Sequence, residues 1–405
     1  MILKNTLKSI VSSQRAEFSL EDLGVKREKL NAIDLDIPYA VILSGIRRCG
    51  KSTLLRQLIK KTGKYNYFNF EDPRALNFEV SDFEKLNTIF REEYGHCEYY
   101  FFDEVQNVKK WELLVRVLLD KKKKVIVTGS NASLLTKELG TKLTGRHLSY
   151  ELFPFSYREM LKLTNKNAGE DSFKYYLMKG GFPEYLKYEK TEILQELLND
   201  IIVRDVVVRH KLRNPKIIKE MALYLLTNVG KEFSYNSLKK LFNLGSTNSA
   251  TAFVSYFEDS YLLFTVSKFD YSLKKQLVNP KKVYSIDTGL SRAHSVSFSS
   301  DIGRMFENLV FLHLRKKYRE IFYFKEKGEC DFIVKEGVKI TKAIQVCYGL
   351  DEDNKKREIN GLIEAMDKFK LKEGLIVSYK QEDEFKIDNK TVVVKPMWKW
   401  LLEQN

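Results

Sequence analysis

Between residues 39 and 152, short apolar runs alternate with stretches of helical periodicity. The runs are YAVILS (39–44), YNYFNF (65–70), EYYFFDE (98–104), VIVTGS (125–130) and LSYEL (148–152). They are apolar at consecutive rather than alternate positions. That pattern predicts strands covered on both faces, and the helices between them predict a parallel sheet. Residues 1–38 read as an N-terminal helical segment, 39–152 as the α/β core and 153–213 as a helical lid. From 214 to 290 three short helices lead into a predicted hairpin. Residues 291–405 begin with helical periodicity at 301–318, followed by strand-like runs at 321–325, 331–335 and 340–346. A charged helix (354–370), an apolar run (374–378) and a final Trp-bearing helix complete the chain.

Composition narrows the class. The 405 residues are 43 % hydrophobic with 26 Phe and 22 Tyr, enough for more than one packed core and too apolar for a disordered chain. Lys and Arg number 69 against 54 Asp and Glu, a net charge of +15 that fits a polyanionic partner such as DNA. No apolar run approaches the ~20 residues that span a bilayer, and MILKNTLKSIVSSQR lacks the apolar stretch of a secretion signal. Cys49, Cys97, Cys330 and Cys347 are scattered without disulfide or metal-ligand spacing. The expectation is a soluble, reduced, cytoplasmic protein with no membrane partner.

The strongest chemical signal is GIRRCGKST at 45–53, which fits G-x-x-x-x-G-K-[ST] between a predicted strand and a predicted helix. Gly45 and Gly50 let the backbone of Ile46, Arg47, Arg48 and Cys49 turn its N–H groups toward phosphate oxygens. Lys51 would reach the β- and γ-phosphates, Ser52 would ligate Mg²⁺, and Thr53 would follow at the helix start. A second signal is the apolar run that ends in Asp103 and Glu104: Asp103 would hold Mg²⁺ and Glu104 would polarise the attacking water. In VIVTGSNASLL, Ser130 and Asn131 suit either a γ-phosphate contact or the cap of a following helix. Arg146, in TGRH, is a candidate arginine finger or sensor, or else a surface arginine. The run KKKK at 121–124 reads as a solvated turn.

Together with the P-loop, DEVQNVKKW, TGSNASLL, LTGR followed by ELFPFSYREM, and YLMKGGFPEYL resemble one group of prokaryotic AAA+-type ATPases with a C-terminal domain of poorly defined function. The resemblance spans essentially residues 39–350. It implies an AAA+-like fold, ATP as the nucleotide and assembly into a homo-oligomer. Such an assembly would let an arginine from a neighbour (Arg146, Arg204 or Arg209) complete the site.

The helices over 214–260 and the hairpin after them read as a winged helix-turn-helix. Ser246, Thr247 and Asn248 would start its recognition helix. Lys268, Lys274, Lys275, Lys281 and Lys282 in the hairpin region would meet phosphates, while a structural lid is the other reading of this domain. Farther on, GRMFENLVFLHL, GECDFIV and AIQVCY resemble a nuclease-like domain of the PD-(D/E)xK type. Active members use an Asp and an E-x-K strand to bind Mg²⁺ and orient a water. Here Asp331 occupies the Asp position, but E-x-K reads Gln345-Val346-Cys347. A neutral amide serves a hard cation poorly, and Cys cannot replace an ammonium. Nuclease activity is therefore not expected, and Asp331 with Glu307 or Glu329 would be remnants or structural groups. Lys355, Lys356 and Arg357 on the next helix would hold DNA. The related fold includes resolvases of Holliday (four-way) junctions, so branched DNA is an expected target.

The fold expected is thus α/β: an AAA+-like P-loop parallel sheet with a helical lid, then a winged helix, then an α+β nuclease-like domain. The function expected is a DNA-binding ATPase using ATP and Mg²⁺ to remodel or move on duplex or branched DNA. The alternative is a nucleotide-dependent switch or scaffold for a protein partner.

Overall fold

The computed structural model describes residues 1–20, 22–132, 145–294 and 302–403. They form two compact units, Met1–Phe153 with Asp259–Tyr261, and Pro154–Glu258 with Leu262–Asn405. Among the described residues no helix is long and apolar enough to cross a membrane.

Unit 1 is built on a parallel sheet of β1 (Ala40–Ser44), β2 (Tyr65–Asn69), β3 (Tyr99–Asp103), β4 (Lys124–Gly129) and β5 (His147–Glu151), in the order β2-β3-β4-β1-β5. Each strand lies within a residue of the run that predicted it. Every position of β1 is buried, which is why its sequence is AVILS without alternation. Ile42, Phe68, Phe102 and Val127 of the sheet meet Leu7, Ile10 and Val11 of the helix Lys4–Leu20, and Leu86, Phe90, Trp111 and Leu114 of two further helices. Each such side chain, when fully buried, contributes roughly 1.5–3 kcal/mol. The cross-strand register sets Ser44 opposite Gly129 and Phe102 opposite Val127. The carboxyl ends of β1, β3 and β4 are therefore level, and ligands of parallel α/β sheets bind beyond that edge. Lys121 to Lys123 make the turn into β4, with Lys122 at φ 55°. The helix expected after Asn131 lies outside the described residues.

Unit 2 opens with the helices Tyr157–Thr164, Glu170–Lys179, Pro183–Tyr188 and Thr191–Asp200, continuing into a π-helical stretch, Ile201–Val208. Its sheet has nine strands among the described residues. They are β6 (Glu232–Phe233), β7 (Leu263–Lys268), β8 (Lys281–Ser285), β9 (Glu320–Lys325), β10 (Glu329–Glu336), β11 (Lys339–Cys347), β12 (Glu373–Ser378), β13 (Asp383–Ile387) and β14 (Lys390–Pro396). Their order is β13-β14-β12-β11-β10-β9-β7-β8-β6. Residues 214–290 and 291–403 thus share one sheet, joined where β7 runs parallel to β9 with Ser267 opposite Phe322 and Lys268 opposite Tyr323. A short helix, Leu273–Val278, lies in the connection of the predicted hairpin. The hairpin β13–β14 falls where no strands were predicted, and the final Trp-bearing helix is reduced to Met397–Trp400.

The helix Glu352–Phe369 covers β10, β11 and β12, with Leu362, Ala365 and Met366 against Ile333, Ala343 and Ile376. It approaches β10 so closely that a Cβ on Gly361 would lie 2.2 Å from the Glu329 carbonyl oxygen. Helix propensity alone favours Ala over Gly by about 1 kcal/mol. The contact reverses that preference, and we expect Gly361→Ala to lower stability by about 1–3 kcal/mol, the usual penalty of overpacking. Thermal or urea unfolding of the full chain reads this directly, and an unchanged or raised midpoint would contradict it.

Candidate functional site

The loop after β1 is shaped by two glycines. A Cβ on Gly45 would sit 2.1 Å from the Leu152 carbonyl oxygen, and Gly50 has φ 95°, a left-handed conformation that costs side-chain-bearing residues energy. Ile46 and Cys49 are fully buried, so they contribute backbone groups rather than side chains, and burial pushes the Cys49 thiol up. Arg47 pairs with Glu71 at 3.1 Å, Arg48 is exposed with φ 60°, and Ser52 and Thr53 lie half-buried in the first turn of the helix Lys51–Ile59.

Lys51 is 4 % exposed. Its ammonium donates to the Gly45 and Ile46 carbonyls at 3.2 and 3.3 Å and stands 3.5 Å from Glu104 Oε1. Asp103 ends β3 and is buried, its Oδ1 accepting from the Thr128 hydroxyl. The same Thr128 oxygen accepts from the Glu104 backbone N–H at 3.0 Å. Burial, reinforced by the Glu104 charge, pushes the Asp103 carboxyl above its ordinary value against the Thr128 and Ser52 hydroxyls. Burial also opposes the charge of Glu104, but Lys51, Gln106 and Arg47 outweigh it and hold that carboxyl below the usual range. Two adjacent acids are thereby driven apart in acidity, which is how one site keeps separate roles for two carboxylates. Glu104 stands at φ 50°; a left-handed conformation at a non-glycine costs about 1–2 kcal/mol and is characteristic of functional turns. Gln106 Nε2 donates to Glu104 and, at 3.3 Å, to Ser130 Oγ. Ser130 and Asn131 are both buried.

Three residues here escape sequence reasoning. Thr128 and Gln106 are two. The third is Arg27, 3 % exposed, which donates to the Cys49 carbonyl at 2.5 Å and to the Phe153 carbonyl at 2.8 Å. Its own backbone N–H is held by Gln57 Oε1 at 3.0 Å. Arg27 clamps the loop from outside it. Arg146, by contrast, does not join the site within one copy. Its carbonyl accepts from Ala40 N–H at the amino end of β1, and its guanidinium pairs with Asp120 at 2.9 Å. Roughly 15 Å of strand separates it from the loop.

In unit 2, Thr247 and Asn248 are exposed at the start of the helix Thr247–Asp259, with Ser246 capping it through Ser249 N–H at 3.1 Å. Lys274 and Lys275 are exposed, as are Lys355, Lys356 and Arg357, the last paired with Glu358 at 2.6 Å. Lys281 and Lys282 correct the expectation of surface phosphate contacts, because both are buried. Lys281 Nζ donates to Ser267 Oγ at 2.8 Å, and Lys282 Nζ is engaged by acids inside a cleft. That cleft, of about 600 Å³, is lined by Arg304, Glu307, Glu329, Asp331, Gln345 and Arg357 among others. It gathers the acids and the amide that the sequence placed in a nuclease-like pattern.

Residues 38–161 match the AAA domain family, 170–301 a domain of unknown function (DUF8612) and 302–400 another (DUF4143). The chain is 35 % identical over 424 residues to the uncharacterized protein MJ1544 of Methanocaldococcus jannaschii, covering 95 % of this chain and 94 % of that one. It belongs to the MJ1544 family of AAA-domain proteins. An uncharacterized protein of Haemophilus influenzae is 26 % identical across 90 % of this chain and 94 % of its own length. A solved structure of AMPPCP-bound DnaA from Aquifex aeolicus is 15 % identical, covering 57 % of this chain and 85 % of that one with a TM-score of 0.29. The AAA domain makes this MJ1544-family chain a nucleotide-dependent ATPase, with its P-loop in unit 1.

The clamp generates a prediction for that ATPase. A charge-assisted hydrogen bond is worth about 1.5–3 kcal/mol. Arg27→Met should therefore lower the melting temperature and weaken nucleotide binding at least tenfold by calorimetric titration. Arg27→Lys should recover little, because an ammonium cannot span two carbonyls as a guanidinium fork does. Wild-type affinity in Arg27→Met would show that the loop keeps its shape unaided.

Proposed function

We propose that this ATPase uses Mg²⁺-dependent ATP hydrolysis to remodel or move on duplex or branched DNA, without cutting it. The residues of unit 1 fit the metal–nucleotide pair. Lys51 places its ammonium 3.2 and 3.3 Å from the Gly45 and Ile46 carbonyls and 3.5 Å from Glu104, where it would meet the phosphates. Gln106 Oε1 is buried with no partner among the described residues, an acceptor suited to an incoming water. Ser52 and Asp103 would hold Mg²⁺, which neutralises phosphate charge when bound. Glu104, kept ionised beside Lys51, would take the proton of the water. Assembly as a homo-oligomer would let an arginine of one copy meet the nucleotide of the next. Arg204, with 61 % of its side chain exposed, and Arg146, with 39 %, are accessible for that role; Arg209 is at 24 % and lies 3.7 Å from Asp205.

The observation that carries the DNA reading is the element order in residues 214–290. The helix Pro215–Thr227, β6, the helices Tyr235–Leu241 and Thr247–Asp259, then antiparallel β7 and β8 follow a winged-helix order. The exposed Thr247 and Asn248 would stand where such a domain meets base edges, and the exposed Lys274 and Lys275 would lie on its wing. One observation favours the protein-partner reading instead. Tyr271, Leu273, Leu277 and Val278 on the same wing are 63–78 % exposed, an apolar tip that a phosphate backbone does not require.

Two experiments test these assignments. Lys51→Ala should abolish nucleotide binding, whereas Glu104→Gln should bind nucleotide with turnover reduced at least a hundredfold; normal hydrolysis by Glu104→Gln would remove the assigned base. Steady-state hydrolysis with no DNA, linear duplex and a four-way junction, at two salt concentrations, tests the partner. A DNA motor should be stimulated and should lose DNA affinity steeply with salt, since phosphate contacts release counterions. Hydrolysis unchanged across all three would assign the switch reading.

A further inference from the structure

The nuclease-like resemblance of the second cleft implies a divalent cation, and the residues present do not fit one. Glu307, Glu329 and Asp331 converge on a single point, and the Lys282 ammonium fills it, at 3.1, 2.9 and 3.0 Å from the three carboxylates. An ammonium has three N–H donors, so three carboxylates use its capacity fully. Lys282 is 4 % exposed. Burial works against its charge, but Tyr284, Asp331, Glu307 and Glu329 more than compensate and hold it protonated well above the ordinary lysine value.

Further contacts engage the same three acids. Glu307 Oε1 accepts from the Tyr284 hydroxyl at 2.6 Å, Asp331 Oδ2 accepts from Val346 N–H at 3.0 Å, and Glu329 Oε2 is 3.3 Å from Lys325 Nζ. Gln345 stands where a metal-binding carboxylate would be expected. Its Oε1 accepts from Asp331 N–H at 3.2 Å, and its Nε2 donates to Glu358 at 2.6 Å. These two partners fix the amide orientation and commit its one oxygen to backbone. A magnesium-sized ion needs oxygen ligands at about 2.0–2.1 Å and would have to enter beside a resident positive charge.

We propose that Lys282 is a tethered cation standing where a metal-dependent nuclease would hold its metal, so that this cleft works without a divalent ion and does not activate water against a phosphodiester. The inference deepens the non-cutting part of the proposed function and is independent of DNA binding. Its test reads metal uptake and lysine accessibility, so its failure is distinct from failure of the DNA reading.

The test uses the full-length, nucleotide-free chain with Mn²⁺ followed by electron paramagnetic resonance. Wild type and Asp331→Asn should take up the same Mn²⁺. Lys282→Met should gain one further equivalent that is lost in Lys282→Met/Asp331→Asn. In parallel, acylation by a water-soluble amine reagent, read by mass spectrometry on the wild type, should modify Lys282 at least tenfold less than Lys274, with or without Mn²⁺. Three results would overturn the proposal: Asp331-dependent Mn²⁺ uptake by the wild type, Mn²⁺-triggered labelling of Lys282, or a folded Lys282→Met chain that gains no Mn²⁺. The labelling arm needs no variant and decides the matter even if Lys282→Met does not fold.

Discussion

A charge taken out of water must be met by an opposite charge or by hydrogen bonds, and two of the buried lysines, one in each unit, meet that demand in different ways. Lys51 and Lys282 are each 4 % exposed. Among its contacts, Lys51 meets the Gly45 and Ile46 carbonyls and the Glu104 carboxylate at 3.2 to 3.5 Å. Lys282 meets three carboxylates at 2.9 to 3.1 Å. The first is anchored in the loop after β1. The second has its ligands already, supplied by the chain itself. One physical requirement thus places one buried cation in the P-loop of the first unit and another in an acid-lined cleft of the second.

The P-loop depends equally on backbone. A loop that wraps a phosphate must hold its N–H groups inward without help from strand pairing. Here the glycines permit the path, and Arg27 fixes it by holding the Cys49 carbonyl. The level carboxyl ends of β1, β3 and β4 then bring Thr128 against Asp103. Thr128 bridges the two acids, accepting from the Glu104 N–H while donating to Asp103. A single hydroxyl therefore ties the turn geometry of Glu104 to the ionisation of its neighbour.

How much of this could be read from the chain follows from the range of each interaction. The strands of unit 1 and the Asp103–Glu104 pair were legible, because consecutive apolar residues followed by two acids leave the acids only the end of a strand to occupy. Thr128 sits inside VIVTGS and reads as one more strand residue until the register with β3 is known. Arg27 lies 22 residues before Cys49 with no pattern connecting them. Lys281 and Lys282 looked like a basic wing because two lysines in a row usually mark solvent. All five positions of β8 are nonetheless buried, and the acids that permit this for Lys282 arrive 25 to 49 residues later. The strand β13 gave no signal because DEFKI is an edge strand, and edges are kept charged to prevent further pairing.

The Lys282 cluster also accounts for how the middle and C-terminal regions of unit 2 hold together. Among the described residues the sheet joins them through two paired positions of β7 and β9, a short seam for so long a sheet. Lys282 and Tyr284 come from β8, and their carboxylate partners from the helix Ile302–Arg315 and β10. Tyr284 also stacks on Phe311 of that helix at 4.5 Å. A buried ion cluster adds little net stability, since desolvation offsets attraction, yet removing one partner costs about 3–5 kcal/mol. That asymmetry makes the cluster a register device: any slip of β8 against β10 leaves a buried charge unmet. Read this way, the acids of the cleft need no catalytic reason to be there. The lysine requires them, and they require the lysine.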